Sequence, residues 1–552
     1  MNKLCVTLMA ALLAIACGKT PQGSGAEQLP GVPQNVELHS ATETSLTLQW
    51  NAVDGAKSYE WKLTLDGADV KSGSVSQRNV TVTGLTPGTA YGFSVQAVND
   101  AGKSGWSTSL EVSTTGSKPV PGTFCVDAPL VVEVGSGTSL GTSGLIQVFK
   151  ADGTLVDKID MADMAKVKVL EDGTMVPVEQ NGNLGTFMDK LPSGSTTRKV
   201  HYTPVRLKGG KLYVKLHSGV LDHGGSYYVT MDESVAGKAV GKDDMPFTTK
   251  AVPSGTTLKV SADGSADFCT VQGALSHAAT LGKDTAVIIE VGEGTYHELL
   301  FLQGKNNVTL RGVSREKTVI AYPNSELYMT GSDNRCLFLA TDCNNLVLEN
   351  LTIENTFYAQ DHKGQAETLY YNAHTASFRL TVESCALISW QDTFLCKGEV
   401  WVHNSLIAGH CDYIWGYPKA CLFEDCEIRS RAKGYIVQAR VEDASYKGFV
   451  FLNCRLTAES GVADGSMYLA RSGGDSSVYD NVTYINCSMS SVIAPAGWYT
   501  SPAPTPSAPT ATSGWKEYGT TGVSTASRNV YGKILTASEA EPYSSKAAVL
   551  GW

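Results

Sequence analysis

Two aspartates, Asp392 and Asp412, stand twenty positions apart, and each lies seven residues beyond a position that repeats along the chain, Cys385 and Ser405 respectively. If the repeats are stacked coils in register, the two carboxylates occupy the same angular position on adjacent turns, close enough to interact directly. Like charges that close cannot both ionise freely, so one carboxyl holds its proton more tightly while the other stays ionised with a low pKa. A protonated and an ionised carboxyl side by side make an acid and a nucleophile or base. The competing reading is that aspartate marks turns in any coiled β architecture. The pair alone does not choose between them.

The elements that would position the pair are legible as a repeat. An apolar residue, two mostly polar ones, then Cys, Ser or Leu, one more residue and an apolar one recur at Leu348–Ile353, Val382–Leu387, Val402–Ile407, Phe423–Ile428, Phe451–Leu456 and Tyr484–Met489. The fourth position is Leu351, Cys385, Ser405, Cys426, Cys454 and Cys487, at successive spacings of 34, 20, 21, 28 and 33 residues. Intervals of about 20 residues or more with strand-like content predict a solenoid, the longer ones carrying loop insertions. In a parallel β-helix such rungs stack about 4.8 Å apart and align like side chains in an interior ladder. Thirteen cysteines in an exported chain would ordinarily suggest disulfides. Four of them share the rung position, however, where a free cysteine serves as a small buried hydrophobe. These four are read as core, with one or two disulfides open elsewhere. No C-x-x-C pair occurs, and His374, His403 and His410 lack partners at ligand spacing, so no metal is expected.

The residues around the aspartates carry a more specific signal. Gln391-Asp392-Thr393-Phe394 and Gly409-His410-Cys411-Asp412-Tyr413-Ile414-Trp415-Gly416 resemble the two central motifs of pectin methylesterases, Q-D-T-L and D-F-I-F-G. The resemblance runs in order through Asp263-Gly264-Ser265, Gly294-Thr295-Tyr296, Leu351–Thr356, Gly364-Gln365-Ala366, Gly448–Cys454 and Gly497-Trp498, covering essentially 255–552. It implies an all-β fold whose main domain is a right-handed parallel β-helix. Position by position, it implies Asp412 as nucleophile, Asp392 as general acid/base, and Gln365 and Gln391 as the oxyanion donors. Arg471 is implied as the cation that holds Asp412 ionised. Trp415, Tyr413 and Phe394 are the implied substrate-binding aromatics, with either Tyr413 or Trp415 expected in the core. The implied reaction converts methyl esters of galacturonate in pectin to pectate and methanol and needs no cofactor. One departure stands out: Ser472-Gly473 follow Arg471 where the family carries Pro-Trp, which removes a substrate-stacking aromatic.

Other readings of a β-helix are weaker. A pectate lyase would want an acidic calcium cluster with a catalytic Arg or Lys, and a polygalacturonase would want carboxylates spaced for a water without a glutamine pair. Neither pattern is found in the sequence. A non-enzymatic adhesin is favoured only by the lost tryptophan.

The rest of the chain reads as export and modular β structure. Charged residues are only 18%, against 55 glycines and 23 tyrosines, which suits an exported all-β protein. A net charge of −10 excludes nucleic acid as a partner, since phosphate binding needs a basic footprint. Residues 30–116 alternate in short strands, with Trp50 early and Leu85-Thr86-Pro87-Gly88-Thr89 before Tyr91, and resemble a fibronectin type III domain. Residues 119–250 resemble a bacterial Ig-like β-sandwich more loosely. Both modules are read as spacers or weak sugar-binding surfaces, with the spacer reading favoured. With every catalytic candidate between 365 and 471, a chain starting near Pro253 is expected to keep turnover. Lys3 followed by the apolar run Val6–Ala16 makes 1–17 a secretory signal, and 18–29 a tether. Ala14-Ile15-Ala16 fits ordinary cleavage. A small residue before Cys17-Gly18 resembles a bacterial lipoprotein signal, with Cys17 as the site of lipid attachment, and this ending is preferred. The expected protein is a monomer in the cell envelope, an outer-membrane lipoprotein facing the surface or periplasm, or otherwise secreted. Its partner is pectin, and it touches a membrane only through that anchor.

Overall fold

The computed structural model describes residues 28–42, 44–86, 89–114, 122–359 and 364–552. The secretory signal, Cys17, most of the tether, the Pro87-Gly88 turn and the linker at 117–121 lie outside the described residues. The chain divides into two compact units near Thr114.

In the first unit, one antiparallel sheet joins Glu37–Ala41, Ser45–Gln49 and Asn79–Thr83. A second is built on Ala68–Val75, Ser58–Leu65 and Ala90–Asn99. Period-two alternation turns Leu46 and Leu48 inward on Ser45–Gln49. They meet Trp50, Tyr59, Phe93 and Val95 in one core.

The second unit contains the coil. From Thr257 on, twenty-two strands form one continuous sheet in which strands pair in parallel with those one turn later. The column Val287–Val291, Val308–Arg311, Leu346–Glu349 and Arg379–Glu383 is one example. This is the right-handed parallel β-helix expected from the rung repeat. The first repeat positions stack in register as Val382, Val402, Phe423, Phe451 and Tyr484. The rings of Phe423 and Phe451 lie 4.7 Å apart and 7° from parallel, and those of Phe451 and Tyr484 4.5 Å and 9°. Those separations match the strand spacing itself.

The fourth repeat positions are interior, as expected: Cys385, Cys426, Cys454 and Cys487 are fully buried and Ser405 nearly so. They are free thiols, and Cys454 and Cys487 donate across the rung to the carbonyls of Phe423 and Phe451 at 3.3 and 3.4 Å. The polar residue just before each ladder position turns the corner. Asn350, Ser384, Asn404, Asp425, Asn453 and Asn486 all have φ between +47° and +57°, a left-handed conformation that short polar side chains tolerate best.

Residues 122–250 form a three-stranded and a five-stranded sheet around their own core, with two further hairpins. One hairpin, Met188–Ser193 with Thr196–His201, lends Leu191 and Val200 to the interior cluster of the coil. Its Arg198 is 4% exposed and donates to the carbonyls of Leu300, Asn334, Cys336 and Leu337. From the other hairpin, Val176 packs in one cluster with Tyr328, Met329, Phe357 and Ala366. The spacer reading of this segment is therefore corrected: a buried guanidinium and shared apolar contacts bind it to the coil. The alternation that identifies its strands carries no information on which hairpin faces another domain.

Candidate active site

Three consecutive turns carry Gln365, then Gln391 with Asp392, then Asp412, and Arg471 lies two turns further on. Gln365 bridges in parallel to Gln391, and Gln391 to Cys411, so residue 392 lies in register with 412. The Asp392 N–H donates to the Cys411 carbonyl at 3.1 Å. Both aspartates have left-handed backbones, φ 63° at Asp392 and 46° at Asp412. Strained conformations of this kind persist where surroundings over-determine them. The coils also approach closely here: a Cβ added to Gly434 would lie 1.9 Å from the His410 carbonyl oxygen.

The two carboxylates are 3% and 4% exposed but keep different company. Asp392 Oδ2 accepts from Gln365 Nε2 at 2.7 Å and from Arg335 Nη2 at 3.3 Å. That guanidinium is shared. It also binds both oxygens of buried Glu367 at 2.8 and 2.7 Å, Glu326 at 2.7 Å and the Gln365 carbonyl oxygen at 2.9 Å. Asp412 has a cation largely to itself: Arg471 Nε donates to Oδ1 and Oδ2 at 2.8 and 3.0 Å, and Nη2 closes on Oδ2. Gln438 Nε2 adds a further bond to Oδ2 at 3.1 Å.

These surroundings move the proton affinities unequally. Burial, then the charges of Glu367 and Asp412, push Asp392 well above the ordinary carboxylate range, outweighing Arg335 and Gln365. Burial also raises Asp412, against the opposing pull of Arg471 and Arg440. The expectation that one carboxyl rises while its neighbour stays low is thus corrected. Both rise, because both are desolvated, and Arg471 restrains only Asp412.

Of the residues named from sequence, Asp392, Asp412, Gln365, Gln391 and Arg471 come together. The half-buried Gln391 is held through its backbone, its carbonyl accepting from the Ala366 N–H at 3.1 Å. Gln365 spends one amide N–H on Asp392, which leaves its second N–H for a ligand. Two of the three substrate-binding aromatics are interior and are corrected here, Tyr413 being the member of the Tyr413–Trp415 pair that lies in the core, as was expected of one of them. Phe394 is fully buried and packs edge-to-face on Phe423 of the interior stack, and fully buried Tyr413 bonds Ser430 with its hydroxyl. The left-handed kink at each aspartate turns the carboxylate outward and sends the chain after it into the interior. Trp415 keeps an 8% exposed edge beneath the Arg440 guanidinium, 5.1 Å from its ring centre.

Other aromatics flank the carboxylates instead. Trp390 and His410 pack with ring centres 4.5 Å apart, tilted by 36°, and Tyr435, Tyr468 and Tyr499 cluster at 4.9 to 6.0 Å beside Arg471. All five are half-buried. Arg335, Glu367 and Gln438 were also missed from sequence. Gln438 and Arg440 had a signal: polar residues at alternate positions beside the apolar Ile436, Val437 and Ala439 at the end of a strand. Arg335 sits in a short helix, Ser332–Arg335, inside a loop insertion with no repeat to mark it.

Residues 257–551 match the Pectinesterase family model, and residues 31–113 match that of the fibronectin type III domain. Pectinesterase 31 of Arabidopsis thaliana is 30% identical over 255 residues, spanning 44% of this chain and 76% of that protein. Among solved structures, the pectin methylesterase of Aspergillus niger is 27% identical with a TM-score of 0.45, covering 55% of this chain and 95% of its own. The carrot pectin methylesterase is 24% identical with a TM-score of 0.47, covering 55% and 95%. The Pectinesterase match takes in more than half of the chain, which therefore belongs to the pectinesterase family of carboxylic ester hydrolases and carries a fibronectin type III domain ahead of its coil.

Proposed function

We propose that this chain hydrolyses the methyl esters of galacturonate residues in pectin, releasing methanol and pectate, with Asp412 as nucleophile and Asp392 as general acid and base. The observation that carries the reading is the unequal pairing of two buried carboxylates in register. A guanidinium is committed to Asp412, while the one near Asp392 is shared with Glu326 and Glu367. The substrate class comes from the relatives' names.

In this reading an Asp412 oxygen attacks the ester carbonyl, and the free amide N–H groups of Gln365 and Gln391 receive the oxyanion. Asp392, protonated at the start, gives its proton to the departing methoxide. It then takes one from the water that opens the acyl–aspartate anhydride. Arg471 and Gln438 hold Asp412 ionised and aimed. Every group needed is a side chain of the coil. The half-buried aromatics beside the carboxylates supply faces on which sugar rings can stack, in place of the tryptophan replaced by Gly473.

The test is methanol release from highly methylated pectin by the full chain, set against Asp412→Ala. Equal release by both would overturn the nucleophile assignment. The export part of the proposal, with Cys17 as a lipidated membrane anchor, is tested separately. Labelled fatty acid should enter the wild-type protein in a bacterial host and be absent from Cys17→Ser.

A further inference from the structure

Two cysteines stand apart from the interior ladder. Cys125 follows the strand Thr123–Phe124 of the 122–250 segment. Cys269 lies at the start of the coil, one residue before Thr270, the N-cap of the helix Val271–Thr280. They are 1% and 6% exposed. Their sulfurs and one carboxylate oxygen of Asp127 all lie within 4.8 Å of one another.

Such a trio could hold a soft metal ion, but its neighbours argue otherwise. Both Asp127 oxygens are already engaged, by the Cys269 N–H at 3.0 and 3.1 Å and by the Thr270 N–H and hydroxyl at 2.7 and 2.6 Å. The carboxylate thus ties down the two residues that lead into the helix, whose first two N–H groups go to Glu298 instead. The Lys250 ammonium donates at 2.6 Å to the carbonyls of Gly264 and Ala266, the same two toward which the Cys125 thiol points at 3.7 and 3.4 Å. A fixed cation there opposes a second one. Two sulfurs then face each other with no third ligand free, whereas a structural zinc needs four.

We propose that Cys125 and Cys269 form a disulfide that fastens the 122–250 segment to the first turn of the coil. The sulfurs must close to about 2.05 Å, a movement of two side chains. An external disulfide, such as oxidised glutathione, is the electron acceptor. The Cys125 thiolate attacks it and releases one thiol, and Cys269 then displaces the other. Two S–H bonds are lost, one S–S bond forms, and the oxidant leaves as two thiols. The Cys269 thiol beside Cys125 lowers its pKa and the Lys250 ammonium adds to that, while burial and the Asp127 carboxylate oppose it. The link closes a loop of 143 intervening residues, 126–268. It constrains the unfolded chain more than a short loop would.

The full chain is equilibrated with oxidised glutathione, unfolded in N-ethylmaleimide, and digested without reduction. The expected result is a cross-linked peptide pair containing Cys125 and Cys269, two hydrogens lighter than the separate peptides, with the ladder cysteines alkylated. Reduction should lower the thermal midpoint of the wild type and leave that of Cys125→Ser unchanged. The proposal is overturned if both cysteines are found alkylated after oxidation, or if the cross-link appears within the ladder. One zinc per chain, lost in Cys125→Ser, would also overturn it.

Discussion

Gln438 gives an amide N–H to Asp412 at 3.1 Å while its carbonyl oxygen is clamped by Arg440 at 2.9 and 2.5 Å. The amide therefore cannot turn round. Gln365 repeats the arrangement on Asp392, its carbonyl oxygen held by Arg335 at 2.9 Å. Each carboxylate thus receives a glutamine N–H whose direction is fixed by an arginine behind it.

Gln438→Leu should cut kcat about 10- to 100-fold, since a hydrogen bond to a charged group contributes about 1.5–3 kcal/mol and each 1.36 kcal/mol is tenfold. KM should change little, because Gln438 serves the nucleophile rather than the sugar. Initial rates of methanol release across pectin concentrations separate the two. A rise in KM at constant kcat would instead make Gln438 a substrate ligand.

The two aspartates should fail differently. Asp412→Ala and Asp392→Ala should each lose several orders of magnitude in methanol release. Only the second should still accumulate an acyl–enzyme with an ester whose leaving group needs no protonation. Mass spectrometry of the quenched protein reads this directly. An adduct on Asp412→Ala would reverse the assignment.

The pH profile follows from the directions of the shifts. Activity requires Asp412 ionised and Asp392 protonated. Both carboxyls are raised, so both limbs of kcat/KM should lie above the ordinary carboxylate value of about 4. Arg471→Gln removes the cation opposing that rise and should move the acid limb higher still. A limb that stayed in place would mean that Asp412 does not set it.

Asp392 also has a consequence for stability. Its folded-state pKa is raised, so above the unfolded value the folded chain binds this proton more tightly than the unfolded chain does. Stability is then lost as pH climbs toward the folded value. Asp392→Asn keeps an acceptor for Gln365 and Arg335 but does not titrate. It should melt higher than the wild type near neutrality and converge with it near pH 4. Calorimetry across that range, showing no gap at either end, would remove the argument.

Truncation separates the two N-terminal segments. A chain beginning at Gly122 keeps every residue of the site and should retain wild-type turnover. One beginning near Pro253 loses Arg198, Asp127 and Val176. It should therefore melt well below the longer chain and turn over more slowly, since Ala366 in the Val176 cluster adjoins Gln365. Equal activity and melting of the two truncated chains would restore the spacer reading.

The coil was legible because each rung repeats one local problem, an inward apolar residue, a left-handed corner and an inward small residue. The register of Asp392 with Asp412 follows by counting from Cys385 and Ser405. The resemblance alone carries Phe394 and Tyr413 as substrate-binding residues, and a motif match does not say which side of the coil a side chain faces. Arg335 and Glu326 were invisible for another reason. Arg335 reaches Asp392 from the 323–336 insertion with Glu326 bound to its guanidinium, and contacts made by an insertion follow no period.

The parallel bridges from Gln365 through Gln391 to Cys411 have one more implication. The separation of acid and nucleophile is inherited from the interstrand hydrogen-bond repeat, about 4.8 Å, and owes little to which side chains fill the interior. Substitutions between 393 and 411 can therefore drift without moving the two groups apart. A change in residue number there is another matter, because one added residue shifts the phase of the next turn and carries its carboxylate to a different face. What the fold conserves at its centre is a count, and the chemistry depends on that count being kept.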